Sequence, residues 1–334
     1  MLNNKVVLLT GGTGSFGNEF VSVALKHYNP KVIRVFSRGE ILQESMQKKF
    51  NDDRLRFLIG DVRDKTRLKM AMSGVDIVVH AAALKIVPTA EYNPFECCKT
   101  NIDGAENIIE ASIDKGVEKV IALSTDKCCS PTTLYGATKL VAEKLFIQAN
   151  IYGDTRFACV RYGNVLGSRG SIIPLMMKQR ETGEITITDE NMTRFWITLN
   201  RGVVLVLKCL EEMQGGEIYV PKIPSMKIID MADAIAPEAR KVIIGIRAGE
   251  KIHETLLSEE EGAHSKEFDN HFVILPEYPY WKKGGLKIGG KPISIKRYSS
   301  DTNTQWLSKE ELLRLINESS SDSASPNKVL TTSI

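Results

Sequence analysis

Tyr135 and Lys139 stand four residues apart in a stretch with helical patterning, so they share one face. A lysine ammonium near a phenol favours the phenolate and lowers its pKa. The phenol can then exchange a proton with a sugar hydroxyl while a nicotinamide exchanges the hydride. Just upstream, a β-branched run ends in Ser124-Thr125-Asp126-Lys127, which adds two hydroxyls, a carboxylate and an amine. Near the N-terminus another such run leads into Gly11-Gly12-Thr13-Gly14-Ser15-Phe16-Gly17. Gly11, Gly14 and Gly17 recur every three residues. Glycine at that spacing lets the backbone turn tightly and lets a pyrophosphate approach the N-terminus of the next helix. Thr13, Ser15 and Phe16 fill the same turn and join the candidate cofactor-binding residues.

The second strand indicates which dinucleotide to expect. A site selective for NAD places a carboxylate at its end to hold the ribose 2′-hydroxyl. Here it ends Val35-Phe36-Ser37-Arg38-Gly39. A hydroxyl and a guanidinium suit a 2′-phosphate, so the expectation is NADP held by Ser37 and Arg38. Glu40 is the alternative ribose partner and would tilt the site toward NAD.

These side chains need a scaffold that brings them together. Apolar, β-branched runs at 5–10, 32–37, 55–59, 75–81, 117–124 and 157–162 read as strands. Helical patterns at 16–28, 41–50, 65–72, 94–115 and 134–152 lie between them. Such a βαβ rhythm predicts an α/β fold, a Rossmann-type doubly wound parallel sheet. Ligands bind such sheets at the carboxyl ends of the strands, where both candidate motifs fall. After Tyr162 the elements shorten, with helices expected near 172–181, 201–213 and 229–239. The predicted division is a NADP-binding domain over 1–165, with some later segments returning to it. A smaller interleaved α/β substrate-binding domain follows over 166–315, then a disordered Ser/Thr-rich tail over 316–334.

Composition narrows the function classes. The chain has 334 residues, 44 Lys+Arg and 41 Asp+Glu, a net charge of +3 that is too small to indicate a nucleic-acid groove. No apolar run reaches the ~18 residues a membrane helix needs. The N-terminus reads as a first strand and not as a signal peptide. The six cysteines lack CxxC spacing and fit neither zinc nor a disulfide framework, which suits a reducing cytoplasm. The histidines lack HxxH spacing, so no metal site is expected, and His80 reads as a core residue.

Together these segments resemble the extended short-chain dehydrogenase/reductase superfamily. Within it they are similar to the inverting UDP-N-acetylglucosamine 4,6-dehydratases of bacterial pseudaminic-acid-type pathways. The resemblance runs from about residue 5 to about residue 315. It is carried by LTGGTGSFG, GDVRD, HAAALK, EYNPFECCKTNI, ALSTDK, LYGATK, RYGNVLGSRGS, MTRFWIT, GGEIYVPKIPSMK and GIRAGEK. It implies a cytoplasmic homo-oligomer, often a hexamer, that acts on UDP-N-acetylglucosamine and recycles a tightly held NADP. Such an enzyme oxidises C4, eliminates water across C5 and C6, and returns hydride to C6.

The resemblance also assigns roles. Lys127 is implied as the base for the C5 proton and Asp126 as the acid for the C6 hydroxyl. Tyr135 serves as base for the C4 hydroxyl, Thr125 hydrogen-bonds the C4 oxygen, and Lys139 accompanies Tyr135. A lysine base must be neutral, so burial or the Lys139 cation is expected to depress the pKa of Lys127. Asp61 and Val62 are expected beside the adenine, and Ala82, Lys85 and Val165 beside the nicotinamide. Lys85 and Asn164 are expected to reach the sugar. Thr188, Arg194, Arg247 and Glu250 are expected to hold the uridine diphosphate, Arg194 having a structural role as its alternative.

Three departures from the family pattern stand out: Gly39 for an Asp, Ile86 for a His, and Cys128-Cys129-Ser130 for a small-small-Asn run. Retaining dehydratases carry Asp-Glu where this chain has Asp126-Lys127. A nucleotide-sugar 4-epimerase, a retaining dehydratase and a non-catalytic NADP-binding regulator remain the alternatives.

Overall fold

The computed structural model describes residues 1–168 and 170–321. Its centre is β1 (Val6–Thr10), in which every residue is buried, as expected for a strand covered on both faces. It pairs in parallel with β2 (Val32–Ser37) on one side and with β4 (Ile77–His80) on the other. The sheet extends beyond β2 to β3 (Leu55–Ile59), and beyond β4 to β5 (Lys119–Leu123) and β6 (Arg156–Val160), all in parallel. The chain therefore reverses its winding direction between β1 and β4, the switch point at which such sheets open a crevice.

Helices α1 (Ser15–His27), α2 (Glu40–Phe50) and α3 (Lys65–Ala71) connect the first strands. They are followed by α4 (Val87–Tyr92) and α5 (Pro94–Cys98). A single helix over 94–115 was expected, but a π-turn at Lys99–Asp103 separates α5 from α6 (Gly104–Asp114). Asn101 accounts for the widening. It is buried, donates to Leu84 O at 3.0 Å and Thr138 Oγ1 at 3.0 Å, and accepts from Leu84 N at 2.9 Å. Those bonds draw the turn inward toward α7 (Leu134–Gln148).

The second half adds the short strands β7 (Asn164–Val165), β8 (Glu184–Ile187) and β9 (Thr193–Ile197), with α8 (Ile172–Arg180) and α9 (Leu199–Glu212). Next, β10 (Ile218–Pro221) returns to the main sheet in parallel with β6. β11 (Ser225–Lys227) then pairs antiparallel with β9, α10 (Ile228–Ile235) packs against α8 and β8, and β12 (Arg240–Ile243) pairs with β8. After β13 (Thr255–Leu257) and α11 (Glu259–Gly262), the strands β14 (Ser265–Glu267), β15 (His271–Ile274) and β16 (Lys291–Pro292) close the main sheet as an antiparallel edge. β17 (Tyr298–Ser299) pairs with β13, and α12 spans Lys309–Ser321. A second apolar core around Met176, Ile185, Trp196, Met231 and Leu312 serves the later elements.

Residues 316–321 continue α12, which corrects the expected tail over that stretch; its remainder, 322–334, lies outside the described residues. Leu312 and Ile316 are buried in the second core, which explains why the helix persists. His80 is buried, hydrogen-bonded to Thr10 Oγ1 at 2.8 Å, and held by burial at a pKa of about 3, so it is a neutral core histidine.

Two backbone positions give stability predictions. A Cβ on Gly17 would lie 2.1 Å from Gly12 O, so α1 can start against the glycine turn only without one. Gly17→Ala is expected to cost about 1–3 kcal/mol in denaturant unfolding; an unchanged midpoint would contradict this packing. Ser130 is exposed and holds φ at 49°, a left-handed conformation that asparagine adopts more easily. Ser130→Asn is expected to stabilise the protein by about 0.5 kcal/mol, seen as a higher Tm.

Candidate active site

A cavity of about 1550 Å³ opens at the carboxyl ends of β1, β4 and β5. Its size exceeds the ~300–1,000 Å³ of an ordinary ligand site and suits two nucleotide-sized molecules. Gly11, Thr13, Gly14, Ser15 and Phe16 line it. Gly14 is the N-cap of α1 and provides no side-chain cap, and the first turn holds no acidic residue. A helix N-terminus with these features favours an anion. Gly17 lies outside the lining and acts through packing.

Ser37 and Arg38 line the cavity, as do Asp61 and Val62. Gln43 Nε2 donates to Ser37 Oγ at 3.0 Å, which leaves the Ser37 proton available for another acceptor. The Arg38 side chain is 59% exposed and its Nη1 lies 3.9 Å from Asp61 Oδ2. Asp61 is already held by Arg63 through Nε at 3.0 Å and Nη2 at 2.7 Å. Glu40, the alternative ribose partner, is exposed at the start of α2 and is absent from the lining. Ala82, Lys85, Asn164 and Val165 lie on the wall, as do Thr188, Arg247 and Glu250.

The catalytic candidates converge on one loop. Beyond β5, Asp126 is buried, and its Oδ1 accepts from Thr125 Oγ1 at 3.0 Å and from Lys127 Nζ at 3.0 Å. Helix α7 faces this loop. Its N-cap Thr133 accepts from Gly136 N at 3.2 Å, and Leu134 N donates to Glu91 Oε1 at 2.6 Å. A Cβ on Gly136 would come within 2.2 Å of Lys127 O, so this glycine lets the helix that carries Tyr135 approach Lys127. Burial pushes Tyr135 up to about 12, while the Lys127 cation and a hydrogen bond with Thr125 pull it back.

Lys127 itself departs from expectation. Burial alone would lower its pKa, but Asp126 and Glu254 outweigh burial and hold it well above the ordinary lysine value. Glu254 Oε1 lies 3.2 Å from Nζ. A unit-charge pair at that separation is worth about 5 kcal/mol at an effective dielectric near 20, against a desolvation cost of several kcal/mol. Two carboxylates therefore prevail, and Lys127 rests as an ammonium.

Lys139, the expected companion of Tyr135, also lines the cavity. Lys139 Nζ donates to Leu123 O at 2.7 Å, and burial lowers its pKa. The Lys127 cation pulls the Tyr135 pKa down against burial. Arg194 is buried on the cavity wall, but its terminal nitrogens donate to the carbonyls of Thr193, Ile252 and Lys251 at 2.7–3.0 Å. Its geometry is that of a brace for residues 251–254, the structural alternative raised from sequence.

Glu254 and Lys251 were missed, although Lys251 ends the GIRAGEK motif and Glu254 lies three residues beyond it. Nothing in local spacing links them to Lys127; only the fold does. Lys251 Nζ donates to Cys129 O at 2.6 Å and Thr132 Oγ1 donates to Gly249 O at 2.7 Å, tying this segment to the catalytic loop. Behind the loop, Arg161 is buried and bridges Glu143 and Glu261. Its Nη2 lies 2.6 Å from Glu143 Oε2 and 2.9 Å from Glu261 Oε1, and its Nη1 donates to Leu256 O at 3.0 Å. Cys128 Sγ contacts the same Glu143 at 3.1 Å, and burial pushes its thiol pKa up.

Among known proteins, the sequence profile of the polysaccharide biosynthesis protein family matches residues 7–276. The inverting UDP-N-acetylglucosamine 4,6-dehydratase of Campylobacter jejuni is 52% identical over 329 residues, 95% of this chain and 98% of that one. The UDP-glucose 4-epimerase of Rickettsia bellii is 42% identical over 333 residues, covering 95% and 96%. The X-ray structure of Pen from Bacillus thuringiensis superposes with a TM-score of 0.86 at 39% identity, covering 95% of this chain and 99% of that one. No helix among the described residues is long and apolar enough to cross a membrane. The switch-point cavity, the glycine turn at its edge and these likenesses together place the chain in the polysaccharide biosynthesis protein family, on the extended short-chain dehydrogenase/reductase fold.

Proposed function

We propose that this protein is a UDP-N-acetylglucosamine 4,6-dehydratase that inverts C5 and uses NADP. The product would be UDP-2-acetamido-2,6-dideoxy-β-L-arabino-hex-4-ulose. The observation that carries the reading is the 3.0 Å contact between Asp126 Oδ1 and Lys127 Nζ, in the wall of the cavity that Tyr135 also lines. An elimination needs a base and an acid side by side, and this contact supplies both.

The cavity fits a dinucleotide. The uncapped N-terminus of α1 accepts the pyrophosphate, and Ser37 and Arg38 provide a hydroxyl donor and a guanidinium for a 2′-phosphate. When bound there, the cofactor supplies reversible hydride acceptance, from C4 and back to C6. Tyr135, in the phenolate form that the Lys127 cation favours, takes the C4 hydroxyl proton, and Thr125 hydrogen-bonds the C4 oxygen. The resulting ketone acidifies the hydrogen on C5. The Lys127 ammonium passes its proton to Asp126, leaving a neutral amine beside a carboxylic acid. The amine takes the C5 proton, and the acid protonates the departing C6 hydroxyl as water. The resting ion pair is thereby restored; as hydride returns to C6, C5 takes up a solvent proton and Tyr135 releases to solvent the proton it took from the C4 hydroxyl, so the protons balance over the cycle. Lys85 and Asn164 face the sugar, and Thr188, Arg247 and Glu250 the uridine diphosphate.

The likeness to the Rickettsia bellii protein supports a second reading, a nucleotide-sugar 4-epimerase. An epimerase needs no base for C5, so the two readings separate in deuterated water. Proton NMR with UDP-N-acetylglucosamine is expected to show a new C6 methyl signal and deuterium at C5. A C4 epimer that keeps its C6 hydroxyl would support epimerisation instead. Tyr135→Phe is expected to stop both oxidation and elimination. Lys127→Met is expected to stop elimination with cofactor binding nearly intact; loss of NADP affinity would move Lys127 to a binding role. Arg38→Ala is expected to weaken NADP binding about ten- to hundredfold, the loss of one charge-assisted hydrogen bond, and to leave NAD binding unchanged in calorimetry. Equal losses for both cofactors would remove the 2′-phosphate role.

A further inference from the structure

If Lys127 takes the C5 proton, as proposed above, a third side chain governs that amine. Glu254 lies just before β13, with its side chain 3% exposed. Its backbone is pinned on both sides: Glu254 N donates to Ser300 Oγ at 2.9 Å, and Ser300 N donates to Glu254 O at 2.8 Å. Oε1 sits 3.2 Å from Lys127 Nζ and 3.9 Å from Arg194 Nε. Oε2 is buried without a hydrogen-bond partner, 3.8 Å from Lys251 Nζ. Asp126 Oδ2 is buried and unpartnered in the same way. The groups around the Lys127 amine are thus Asp126 on its own loop, Glu254 and Arg194 from the facing wall, Tyr135 from α7 and Asn164 Oδ1 at 3.5 Å from β7.

We propose that Glu254 is a positioning residue for the elimination: its fixed carboxylate holds the Lys127 amine at the cavity wall and stabilises the ammonium that forms as the C5 proton arrives. Asp126 cannot do this alone, because it is uncharged while it holds the proton for the leaving hydroxyl and becomes an anion only as that proton departs. The second carboxylate keeps its charge throughout and supports the cation in every state. Without that anion the amine becomes a weaker base and loses its proton at lower pH.

The test uses the purified full chain with NADP and UDP-N-acetylglucosamine, read by C5 deuterium exchange and by the pH profile. Glu254→Gln is expected to lower kcat about a hundredfold with KM within about twofold. Its alkaline limb, set by loss of the Lys127 proton, is expected to move about one unit toward acid. Glu254→Asp keeps the charge but withdraws it by one methylene. It is expected to leave the alkaline limb in place and to slow C5 exchange about tenfold. A Glu254→Gln limb that coincides with that of the unaltered protein, or a loss confined to KM, overturns the proposal. If Glu254→Gln does not fold, unchanged C5 exchange in Glu254→Asp overturns it equally. Lys127→Met that still exchanges at C5 would instead overturn the role of Lys127 itself.

Discussion

An ammonium held between two buried carboxylates is the interaction on which the rest of this site depends. Lys127, Asp126 and Glu254 are held within 3.2 Å contacts, the two carboxylates buried in the wall and the lysine partly open to the cavity. Removing one partner from such a cluster leaves a bare buried charge, which typically costs about 3–5 kcal/mol. The fold must therefore hold the loop after β5 and the segment before β13 in fixed relation. Arg161 does much of this. It grips Glu143 on α7 and Glu261 on α11, and bonds the Leu256 carbonyl two residues beyond Glu254. The same buried network sits behind Cys128, so the catalytic loop is supported from the rear as well as from the cavity.

The opposite edge of the cavity follows a different logic. There the backbone, and not a charge cluster, makes the surface. The glycine turn brings an uncapped helix end to the crevice at the sheet's switch point, where a pyrophosphate would gain from the helix dipole. Close packing of Gly17 against Gly12 and of Gly136 against Lys127 applies one device twice. Each omits a side chain so that a helix can reach a loop. One approach lies at the glycine-turn edge of the cavity and the other beside the Asp126–Lys127 pair.

The departures from the family pattern sit around this centre and not within it. Ile86 is 55% exposed at the start of α4. Gly39 caps α2, where a Cβ would meet the Leu42 side chain at an ordinary contact distance of 3.5 Å, and Ser130 carries its strain on an exposed turn. Cys129 N donates to Asp126 O at 3.2 Å, whereas Ile86, Gly39 and Ser130 make no hydrogen bond or ion pair to the side chains of the Asp126–Lys127–Glu254 cluster among the described residues. Relatives named as a dehydratase and as an epimerase share this scaffold at 52% and 42% identity, so chemistry in the family is decided by a few side chains on a common frame.

Local sequence was enough for whatever depends on neighbours in the chain. Periodicity marks the parallel strands, because strands buried on both faces are apolar nearly throughout. Glycine spacing marks the phosphate turn, and the strand end marks Asp126 and Lys127, because ligands meet such sheets at the carboxyl edge. The π-turn at Lys99–Asp103 escaped, since it arises from Asn101 bonding to Leu84 and Thr138 across the fold. The charge state of Lys127 escaped for the same reason. Residue types near it allow either a neutral base or an ammonium, and the distance to Glu254 decides between them. Likewise the i, i+4 spacing puts Tyr135 and Lys139 on one face, but only the fold gives Lys139 its bond to the Leu123 carbonyl and brings the Lys127 cation to bear on the phenol. Coulomb energy depends on separation in space and on burial, and both are set only when distant segments pack together.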